Sequence, residues 1–355
     1  MLIGKREVGD EAPCFITFEA GPTHNGVESA KALIDAAADA GADAIKFQIF
    51  DPDRLVSDRR LPFGYTRLVD KRSGQTEEVA EPLYDILLRR YLKKNEWVEV
   101  KARADAQGLE FFATVGFPED IALVTELGCQ SIKIASADVD HAPLIRDAAF
   151  TGMSIQLDTG NATLGELENA VDIIHAAGNR DVVIHQCPSG YPARLESIQL
   201  NMIPTLRRVF PECVIAYSDH TPDHDMDIAA VALGAHLVEK TITLDKTQRS
   251  PEHIMSLEPA EMGDFVRRIR DLEIALGGTR RSLDKDQRLS RKTMRRSVHV
   301  AEDLVPGDKL SESVLDYRRP GDGIPMDSLP QILGRTLGVS KAKGDRLDWS
   351  DIDWS

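Results

Sequence analysis

The chain has 355 residues, of which 42% are hydrophobic and 28% are charged, and its formal net charge is −15 at pH 7. This composition is sufficient for a full hydrophobic core and excludes global disorder. The negative charge argues against nucleic acid or an anionic membrane surface as the main partner. No run of about 18 uncharged apolar residues is present, so the sequence predicts no membrane span.

The cysteines and the N-terminus indicate the cellular compartment. Cys14, Cys129, Cys187 and Cys213 show no Cys-x-x-Cys spacing, which is typical of reduced thiols rather than of a disulfide framework or a zinc knuckle. The N-terminus lacks a long apolar stretch followed by a small-residue cleavage site, so we expect no secretory signal. We therefore predict a cytoplasmic globular protein.

Short apolar runs rich in Ile, Val and Phe alternate with alanine-rich amphipathic stretches between residues 15 and 276. The predicted strands are Phe15–Glu19, Ala44–Ile49, Glu110–Thr114, Ser131–Ala135, Ser154–Asp158, Asp181–Gln186, Cys213–Tyr217 and His236–Ile242. Nearly continuous apolar runs are typical of buried parallel strands, and the βα alternation indicates a parallel sheet. Eight strands are the number that closes a barrel, so the predicted fold class is α/β, a (β/α)8 TIM barrel.

The long segment Asp51–Arg90 follows the second predicted strand and contains several prolines and glycines. Long loops in compact domains are usually functional or disordered. Because the loops after barrel strands surround the active site of this fold, we predict that Asp51–Arg90 covers the pocket.

The composition changes after Gly277-Gly278. Residues 279–296 are basic, and we interpret them as a solvated linker. Residues 297–355 contain short apolar pieces and Pro-Gly turns, which indicate a small domain of short strands. The predicted organisation is a barrel domain over 1–278, a linker over 279–296 and a small domain over 297–355.

Polar side chains stand at the end of each predicted strand, where a parallel barrel places its reactive groups. They include Glu19, Lys46, Gln48, Thr114, Lys133, Ser136, Asp138, Asp158, Tyr191, Ser218, His220, Glu239 and Lys240. Polar residues at every strand end are difficult to explain as core. We therefore expect them around one pocket.

Three of these side chains are lysines predicted to be buried in the barrel, namely Lys46, Lys133 and Lys240. A buried lysine is costly unless an anion lies beside it. The lysines could form structural ion pairs with Glu19, Glu239 or Asp158, could bind an anionic substrate, or could form a Schiff base. Spacing alone does not separate the two functional interpretations.

His220 is the best candidate for a metal ligand, because neutral imidazole is the commonest metal-binding side chain. A single histidine is as often a hydrogen-bonded structural residue. His24, His185, His236 and His253 are weaker candidates.

Several motifs, in order along nearly the whole chain, carry a resemblance to a known family. They are Phe18-Glu19-Ala20-Gly21-Pro22-Thr23-His24-Asn25-Gly26, Gly41-Ala42-Asp43-Ala44-Ile45-Lys46-Phe47-Gln48, Lys133-Ile134-Ala135-Ser136, Thr159-Gly160, Ser189-Gly190-Tyr191-Pro192, Tyr217-Ser218-Asp219-His220-Thr221 and Ser256-Leu257-Glu258-Pro259. In these motifs the sequence resembles the sialic acid synthase family. The tail Arg318-Arg319-Pro320-Gly321-Asp322-Gly323-Ile324 is similar to the antifreeze-protein-like (SAF) domain that ends those synthases.

The resemblance implies a transferase with a TIM barrel followed by a small C-terminal SAF domain. Such an enzyme condenses phosphoenolpyruvate with an N-acylated aminosugar, such as N-acetylmannosamine or a related hexosamine, and gives a nine-carbon 2-keto sugar acid and phosphate. The resemblance also implies a domain-swapped homodimer. A divalent metal, usually Mn²⁺, would polarise the acceptor aldehyde as a Lewis acid.

The matching positions imply roles for individual residues. The expected catalytic residues are Glu19, as acid/base near the reacting carbons, Lys46 and Lys133. The phosphate and carboxylate of phosphoenolpyruvate would be held by Lys46, Thr114, Lys133, Ser136 and Ser218. The acceptor sugar would face Gln48, Asp138, Tyr191 and Glu252, and its N-acyl group would meet Arg319 of the partner subunit. Thr159 and Ser189, which lie in the matching motifs, are also expected to bind substrate, and His220 to bind the metal.

Three positions depart from the family pattern. The family's second histidine ligand is replaced by Thr241, and a hydroxyl is a poor substitute for imidazole. The serine before Thr-Gly is replaced by Asp158, whose carboxylate would repel a phosphate unless a cation intervenes. The usual His-Cys pair after the sixth strand reads Gln186-Cys187.

These departures leave alternatives open. The chain could be a pyruvate-dependent sugar-acid lyase or aldolase, or a non-catalytic sugar-binding relative. Glu239 or His253 could complete a metal site with His220. N-acetylmannosamine, its 6-phosphate and bacterial diamino sugars all remain possible acceptors.

Overall fold

Eight parallel strands close into a barrel in the computed structural model, which describes residues 1–355. We label them β1 to β8 in chain order: Phe15–Glu19, Ala44–Gln48, Glu110–Thr114, Ser131–Ile134, Ser154–Asp158, Val182–Gln186, Val214–Asp219 and Leu237–Thr241. Each strand pairs with its neighbours in the chain, and β8 closes on β1 with Thr241 opposite Glu19. The predicted TIM barrel is therefore confirmed.

Helices follow the strands and cover the barrel. The α-helices before residue 278 are Val27–Asp39, Pro52–Leu55, Leu83–Leu88, Lys94–Gln107, Pro118–Glu126, Ala142–Ala149, Leu164–Ala176, Leu195–Ile198, Met202–Val209, Asp225–Ala232 and Pro259–Leu276. Single-turn 3₁₀ helices span Ser136–Asp138 and His253–Met255. No helix is long and apolar enough to cross a bilayer.

The interior of the barrel is apolar at one end and polar at the other. At the N-terminal ends of the strands, Phe15, Phe112 and Leu237 pack in one buried cluster with Ile3 and Val8 of the N-terminal segment. Side chains along a strand alternate between its two faces. The inward positions at the C-terminal ends are consequently left to the polar residues that the sequence analysis identified.

The insertion after β2 is ordered and contains a β-hairpin. Its strands, Pro62–Asp70 and Gln75–Pro82, pair antiparallel with a bulge between Leu68 and Asp70. The helix Leu83–Leu88 follows directly and returns the chain towards the barrel.

The chain divides into two compact units, Met1–Gly277 and Gly278–Ser355. We predicted a solvated linker over 279–296, and the structure forms the helix Lys285–Met294 there, with every residue exposed. Asp284 caps this helix, because its carboxylate accepts a hydrogen bond from the backbone N–H of Gln287 at 2.7 Å.

The rest of the second unit consists of short strands around a small core. Ser297–Val300 pairs with Leu315–Arg318, and Thr336–Leu337 pairs with Ile352–Asp353. The short helical pieces are Glu312–Val314, Met326–Ser328, Leu329–Ile332 and Trp349–Asp351. Val298, Val300 and Leu310 are among the residues buried in its hydrophobic cluster.

Candidate active site

A cavity of about 370 Å³ lies at the C-terminal ends of β1 to β8, and we call it the mouth cavity. The residues expected at the phosphoenolpyruvate side that line it are Glu19, Lys46, Thr114 and Ser136. Those expected near the acceptor or the metal are Gln48, Asp138, Tyr191, His220 and Glu252, and Ser189, expected to bind substrate, lines the cavity as well. The insertion after β2 contributes Phe63, Leu83 and Arg90 to one wall, as its predicted covering role requires.

Lys46 lies between two carboxylates at the floor of the mouth cavity. Its Nζ is 2.6 Å from Glu19 Oε2 and 2.6 Å from Glu239 Oε1. Burial alone would lower the pKa of Lys46, but the surrounding carboxylates, Glu19 first and then Glu239 and Asp158, raise it well above its ordinary value. Lys46 is therefore a fixed cation.

Glu19 is positioned by the turn that follows β1. Its Oε1 accepts a hydrogen bond from the backbone N–H of Gly21 at 2.6 Å. A Cβ at Gly21 would come within 2.7 Å of Glu19 Oε1 and of the backbone N of Gln48, so only glycine permits this close turn. Burial raises the pKa of Glu19, and the charge of Lys46 offsets this only in part. Glu19 is thus suited to hold and release a proton.

Lys133 lies below the cavity floor and is completely buried. Its Nζ is 2.9 Å from Glu239 Oε2, 2.9 Å from Asp158 Oδ1 and 3.2 Å from Ser218 Oγ. An ammonium group has three N–H donors, and three acceptors surround this one. Lys133 has no free lone pair in this arrangement, which disfavours the Schiff-base interpretation.

Lys46 and Lys133 converge on one carboxylate, since each contacts a different oxygen of Glu239. Burial would raise the pKa of Glu239, but Lys133 and Lys46 hold it below its ordinary value. The structural ion-pair interpretation and the anion-binding interpretation therefore both apply at this floor. Two fixed cations stand there, and their charges are already largely balanced.

A second layer of hydrogen bonds supports Lys133 from below. His185 Nδ1 is 3.0 Å from Ser218 Oγ, and His185 Nε2 is 2.9 Å from Gln156 Oε1. Gln156 in turn donates to Ser131 Oγ at 2.8 Å, so its amide oxygen faces His185. Burial, followed by the charge of Lys133, lowers the pKa of His185 to about 3. His185 is a neutral supporting residue rather than a metal ligand.

Lys240 does not belong to this group, so the expectation that it lies around the same pocket is wrong. Adjacent strand residues point to opposite faces, so Lys240 faces outward while Glu239 faces inward. Its Nζ pairs with Asp219, lies 3.4 Å from Asp227 and donates to Thr221 O at 2.7 Å. This lysine fastens β8 to β7 and to the helix Asp225–Ala232.

His220 is the one histidine that lines the mouth cavity. Its Nδ1 donates to Pro188 O at 2.9 Å, and its ring lies 4.6 Å from the ring of Tyr191. Burial lowers the pKa of His220, although Asp158 and Asp219 oppose the effect. The ring is consequently neutral, with Nε2 available as a lone pair.

The donor set around His220 does not fit a metal centre with several protein ligands. Thr241 stands where the resemblance places a second histidine. The two suggested replacements are engaged elsewhere, because Glu239 contacts two lysines and His253 Nδ1 lies 2.7 Å from Thr243 Oγ1. The cluster of three possible ligands that the structure does contain is His175, Glu212 and Cys213, and none of these lines the mouth cavity.

The remaining candidate histidines also lie outside the site. His24 packs among Phe47 and Trp97, with ring centroids 5.5 Å and 6.0 Å away, and burial lowers its pKa to about 3. His236 Nε2 lies 2.8 Å from Asp10 near the opposite end of the barrel. Both are structural residues.

Besides Lys133, three predicted site residues lie outside the lining of the mouth cavity. Ser218 is buried beneath the floor against Lys133. Thr159 lines a smaller neighbouring cavity of about 170 Å³ and donates to Gln186 Oε1 at 3.4 Å. Arg319 belongs to the second unit and is exposed.

Sequence reasoning missed one charged residue of the cavity wall. Arg90 ends the insertion after β2 and is only 8% exposed, yet it lines the mouth cavity. It stands next to another arginine in a segment without clear periodicity, so no pattern distinguishes it from a surface charge. Its neighbour Glu252 was predicted, and burial, opposed by Arg90, raises the pKa of Glu252 to about 8.

Comparisons with known proteins agree with the motifs and the geometry. The chain matches the NeuB family over residues 33–281 and the SAF domain over residues 295–353. It is 32% identical to the N,N'-diacetyllegionaminic acid synthase of Legionella pneumophila, covering 99% of this chain and 98% of that one, and 28% identical to the human N-acetylneuraminate-9-phosphate synthase, covering 96% and 93%. Among solved structures, the N-acetylneuraminic acid synthetase of Leptospira borgpetersenii in complex with citrate superposes with a TM-score of 0.70 at 28% identity, covering 82% of this chain and 94% of that one. The chain therefore belongs to the NeuB family of sialic acid synthase-type enzymes and carries a SAF domain at its C-terminal end.

Proposed function

We propose that this enzyme condenses phosphoenolpyruvate with an N-acylated aminosugar and releases a nine-carbon 2-keto sugar acid and phosphate. The observation that carries the proposal is the convergence of Lys46 and Lys133 on Glu239 at the floor of the mouth cavity. Two ammonium groups, one at the floor and one directly beneath it, suit a small donor that bears a phosphate and a carboxylate. The names of the relatives support the reaction class.

The proposed roles follow from position. Lys46 and Lys133, with the hydroxyl groups of Thr114, Ser136 and Ser218, orient the donor so that its methylene carbon faces the acceptor aldehyde. As the new carbon–carbon bond forms, Glu19 gives its proton to the aldehyde oxygen. Water then adds to the former enol carbon, and loss of phosphate from that adduct leaves the keto group. The raised pKa of Glu19 supports the proton transfer.

Asp158 modifies how the donor binds. Its carboxylate lies 2.9 Å from Lys133 Nζ, where the resemblance expects a neutral serine near the phosphate. A phosphate that approaches Lys133 therefore meets an existing negative charge. We propose that the donor displaces the Asp158 carboxylate from Lys133 when it binds, so that its affinity is lower than two free lysines would provide.

We propose roles for the acceptor-side residues as well. Gln48, Asp138, Tyr191 and Glu252 face the acceptor, Thr159 and Ser189 assist, and Arg319 of the partner subunit reaches the N-acyl group in a swapped homodimer. We propose a cytoplasmic enzyme, because the substrates are small phosphorylated and sugar metabolites.

The decisive experiment is a phosphate-release assay with phosphoenolpyruvate and a panel of N-acylated hexosamines and 2,4-diamino sugars. We expect release that requires both substrates and a product that contains three more carbons than the acceptor, measured by mass spectrometry. Lys46→Met is the matched negative control. Phosphate release without any aminosugar, or no release with the whole panel, contradicts the proposal.

A further inference from the structure

Arg90 is a buried cation without a partner. Its side chain makes no hydrogen bond and no ion pair, and its Nε is enclosed without any acceptor. The aromatic ring of Phe50 is 5.8 Å from its guanidinium carbon. A guanidinium cannot lose its charge at ordinary pH, so burying it unpaired is costly. Such a residue requires an anion that the chain itself does not supply.

The other basic side chains that line the mouth cavity are already accounted for. Lys46 contacts Glu19 and Glu239, each at 2.6 Å. His220 is neutral and donates to a backbone carbonyl. Arg90 is therefore the one uncompensated positive charge on the cavity wall.

Glu252 is the charged group that acts most strongly on Arg90, but it does not neutralise the guanidinium. The two side chains form no ion pair within 4.0 Å, and burial keeps Glu252 largely protonated near neutral pH. Both side chains line the mouth cavity, so an incoming oxyanion could accept hydrogen bonds from the guanidinium and from the protonated carboxylic acid. This combination favours an anion over a neutral hydroxyl.

Arg90 lines the wall formed by the insertion after β2 and makes no hydrogen bond or ion pair with the floor residues Lys46 and Glu239. The groups whose charges act on it most are Glu252 and Glu19, followed by Arg89 and Tyr191. Glu252 and Tyr191 are the residues proposed to face the acceptor sugar. The uncompensated charge thus lies on the acceptor side of the cavity.

We propose that Arg90 binds an oxyanion carried by the acceptor, so that the preferred acceptor is a hexosamine bearing a phosphate ester or a carboxylate. This inference rests on the proposed function, because it assigns one side of the mouth cavity to a sugar. A guanidinium suits either group, since its fork of N–H donors matches both phosphate and carboxylate oxygens.

The test compares Arg90→Gln with Arg90→Lys and with the matched control Arg89→Gln. Arg89 is the adjacent residue, and it pairs with Glu81 at 2.8 Å outside the mouth cavity. Each protein is assayed with N-acetylmannosamine, with its 6-phosphate and with an N-acetylhexosaminuronate. We expect the wild type to prefer one charged acceptor, and Arg90→Gln to raise the KM for that acceptor by about 30-fold or more. Arg90→Lys should recover part of the loss, and Arg89→Gln should behave as wild type.

The two charged acceptors distinguish phosphate from carboxylate. The KM for phosphoenolpyruvate and for the uncharged sugar should change less than about twofold in Arg90→Gln, because neither meets Arg90. Equal use of charged and uncharged sugars by the wild type, or a rise in the KM for phosphoenolpyruvate instead, overturns the inference.

Calorimetric binding of the same sugars without phosphoenolpyruvate separates this inference from the proposed function. Tight binding of a charged sugar that Arg90→Gln loses supports Arg90 even when no sugar is turned over, and in that case only the proposed reaction fails. Equal binding by wild type and Arg90→Gln refutes the role of Arg90, whatever the activity. Thermal unfolding of each variant verifies that it is folded.

Discussion

Lys133 and Lys240 are both buried strand lysines held by two carboxylates, yet they occupy different regions of the barrel. Lys133 contacts Glu239 and Asp158 beneath the mouth cavity, whereas Lys240 contacts Asp219 and Asp227 on the outer face of β8. Burial and pairing therefore do not distinguish the lysine proposed to hold the donor from the other. The difference is the neighbouring space, because a substrate can reach the floor through the mouth cavity and has no comparable route to Lys240.

The largest expected effect separates these two lysines directly. Lys133→Met should reduce phosphate release by about 10²–10³-fold, because it removes a fixed charge beside the donor. Lys240→Met should instead lower the free energy of unfolding by about 3–5 kcal/mol, because it leaves two buried carboxylates unpaired. Turnover per folded molecule, with urea unfolding of each variant, measures both effects. A Lys240→Met enzyme that is stable but inactive would contradict the comparison.

Substitution of Asp158 tests whether the negative charge at the cavity floor weakens the binding of phosphoenolpyruvate. Asp158→Ser frees one contact of Lys133 and should lower the KM for phosphoenolpyruvate by about 10–100-fold, since a carboxylate close to a phosphate costs a few kcal/mol at the effective dielectric of a protein. Asp158→Asn keeps the shape without the charge and should follow the serine variant. An unchanged or higher KM in both variants would mean that Asp158 does not oppose the donor.

Glu252, on the wall of the mouth cavity, should make the free energy of unfolding depend on pH, unlike the fixed lysine charges at the floor. Burial, opposed by Arg90, raises the pKa of Glu252 from 4.5 to about 8. The folded state thus favours the protonated acid, so this stabilisation is complete below the ordinary pKa and is lost as the pH rises towards 8. Relative to Glu252→Gln, the wild type should lose about 2–4 kcal/mol of unfolding free energy between about pH 5 and pH 8.

Urea titrations of both proteins at each pH measure this loss. The lowered pKa values of His24 and His185 act in the opposite sense, because neutral histidines destabilise the fold on acidification. They are present in both proteins and cancel in the difference. Parallel pH profiles would refute the raised pKa of Glu252.

The barrel strands and the polar residues at their C-terminal ends were predictable because both depend on local sequence pattern. Phe15–Glu19 and Ser154–Asp158 are apolar runs that end in a polar residue, and both have the predicted bounds. The direction of Lys240 could also have been inferred, because Glu239 and Lys240 are adjacent and must face opposite ways. The three lysines were instead grouped because each lies on a predicted buried strand.

Arg90 and the partners of Lys133 were not predictable from local pattern. Arg90 reaches the mouth cavity only through the path of the ordered hairpin before it, and that path depends on contacts distant in sequence. Lys133 lies 106 residues from Glu239, so which carboxylate it meets is settled by barrel closure. The helix Lys285–Met294 was not predicted for a different reason: the basic composition of residues 279–296 indicated a linker, although Asp284 is a suitable N-cap residue.

The smallest expected effect concerns the metal. Thr241 ends β8, and by alternation it shares the inward face of Glu239. Thr241→His would add a second imidazole at the position where the resemblance expects one, and should tighten Mn²⁺ binding by about tenfold or more, since imidazole is a far better ligand than a hydroxyl. Calorimetric Mn²⁺ titration of this variant is compared with Thr241→Gln, which has similar bulk, and with Thr241→His combined with His220→Ala. The gain should require both histidines. Equal Mn²⁺ binding by Thr241→His and Thr241→Gln would mean that the side chains at positions 241 and 220 do not converge on one metal ion. The fixed charges of Lys46 and Lys133 would then be the cationic groups at this end of the barrel.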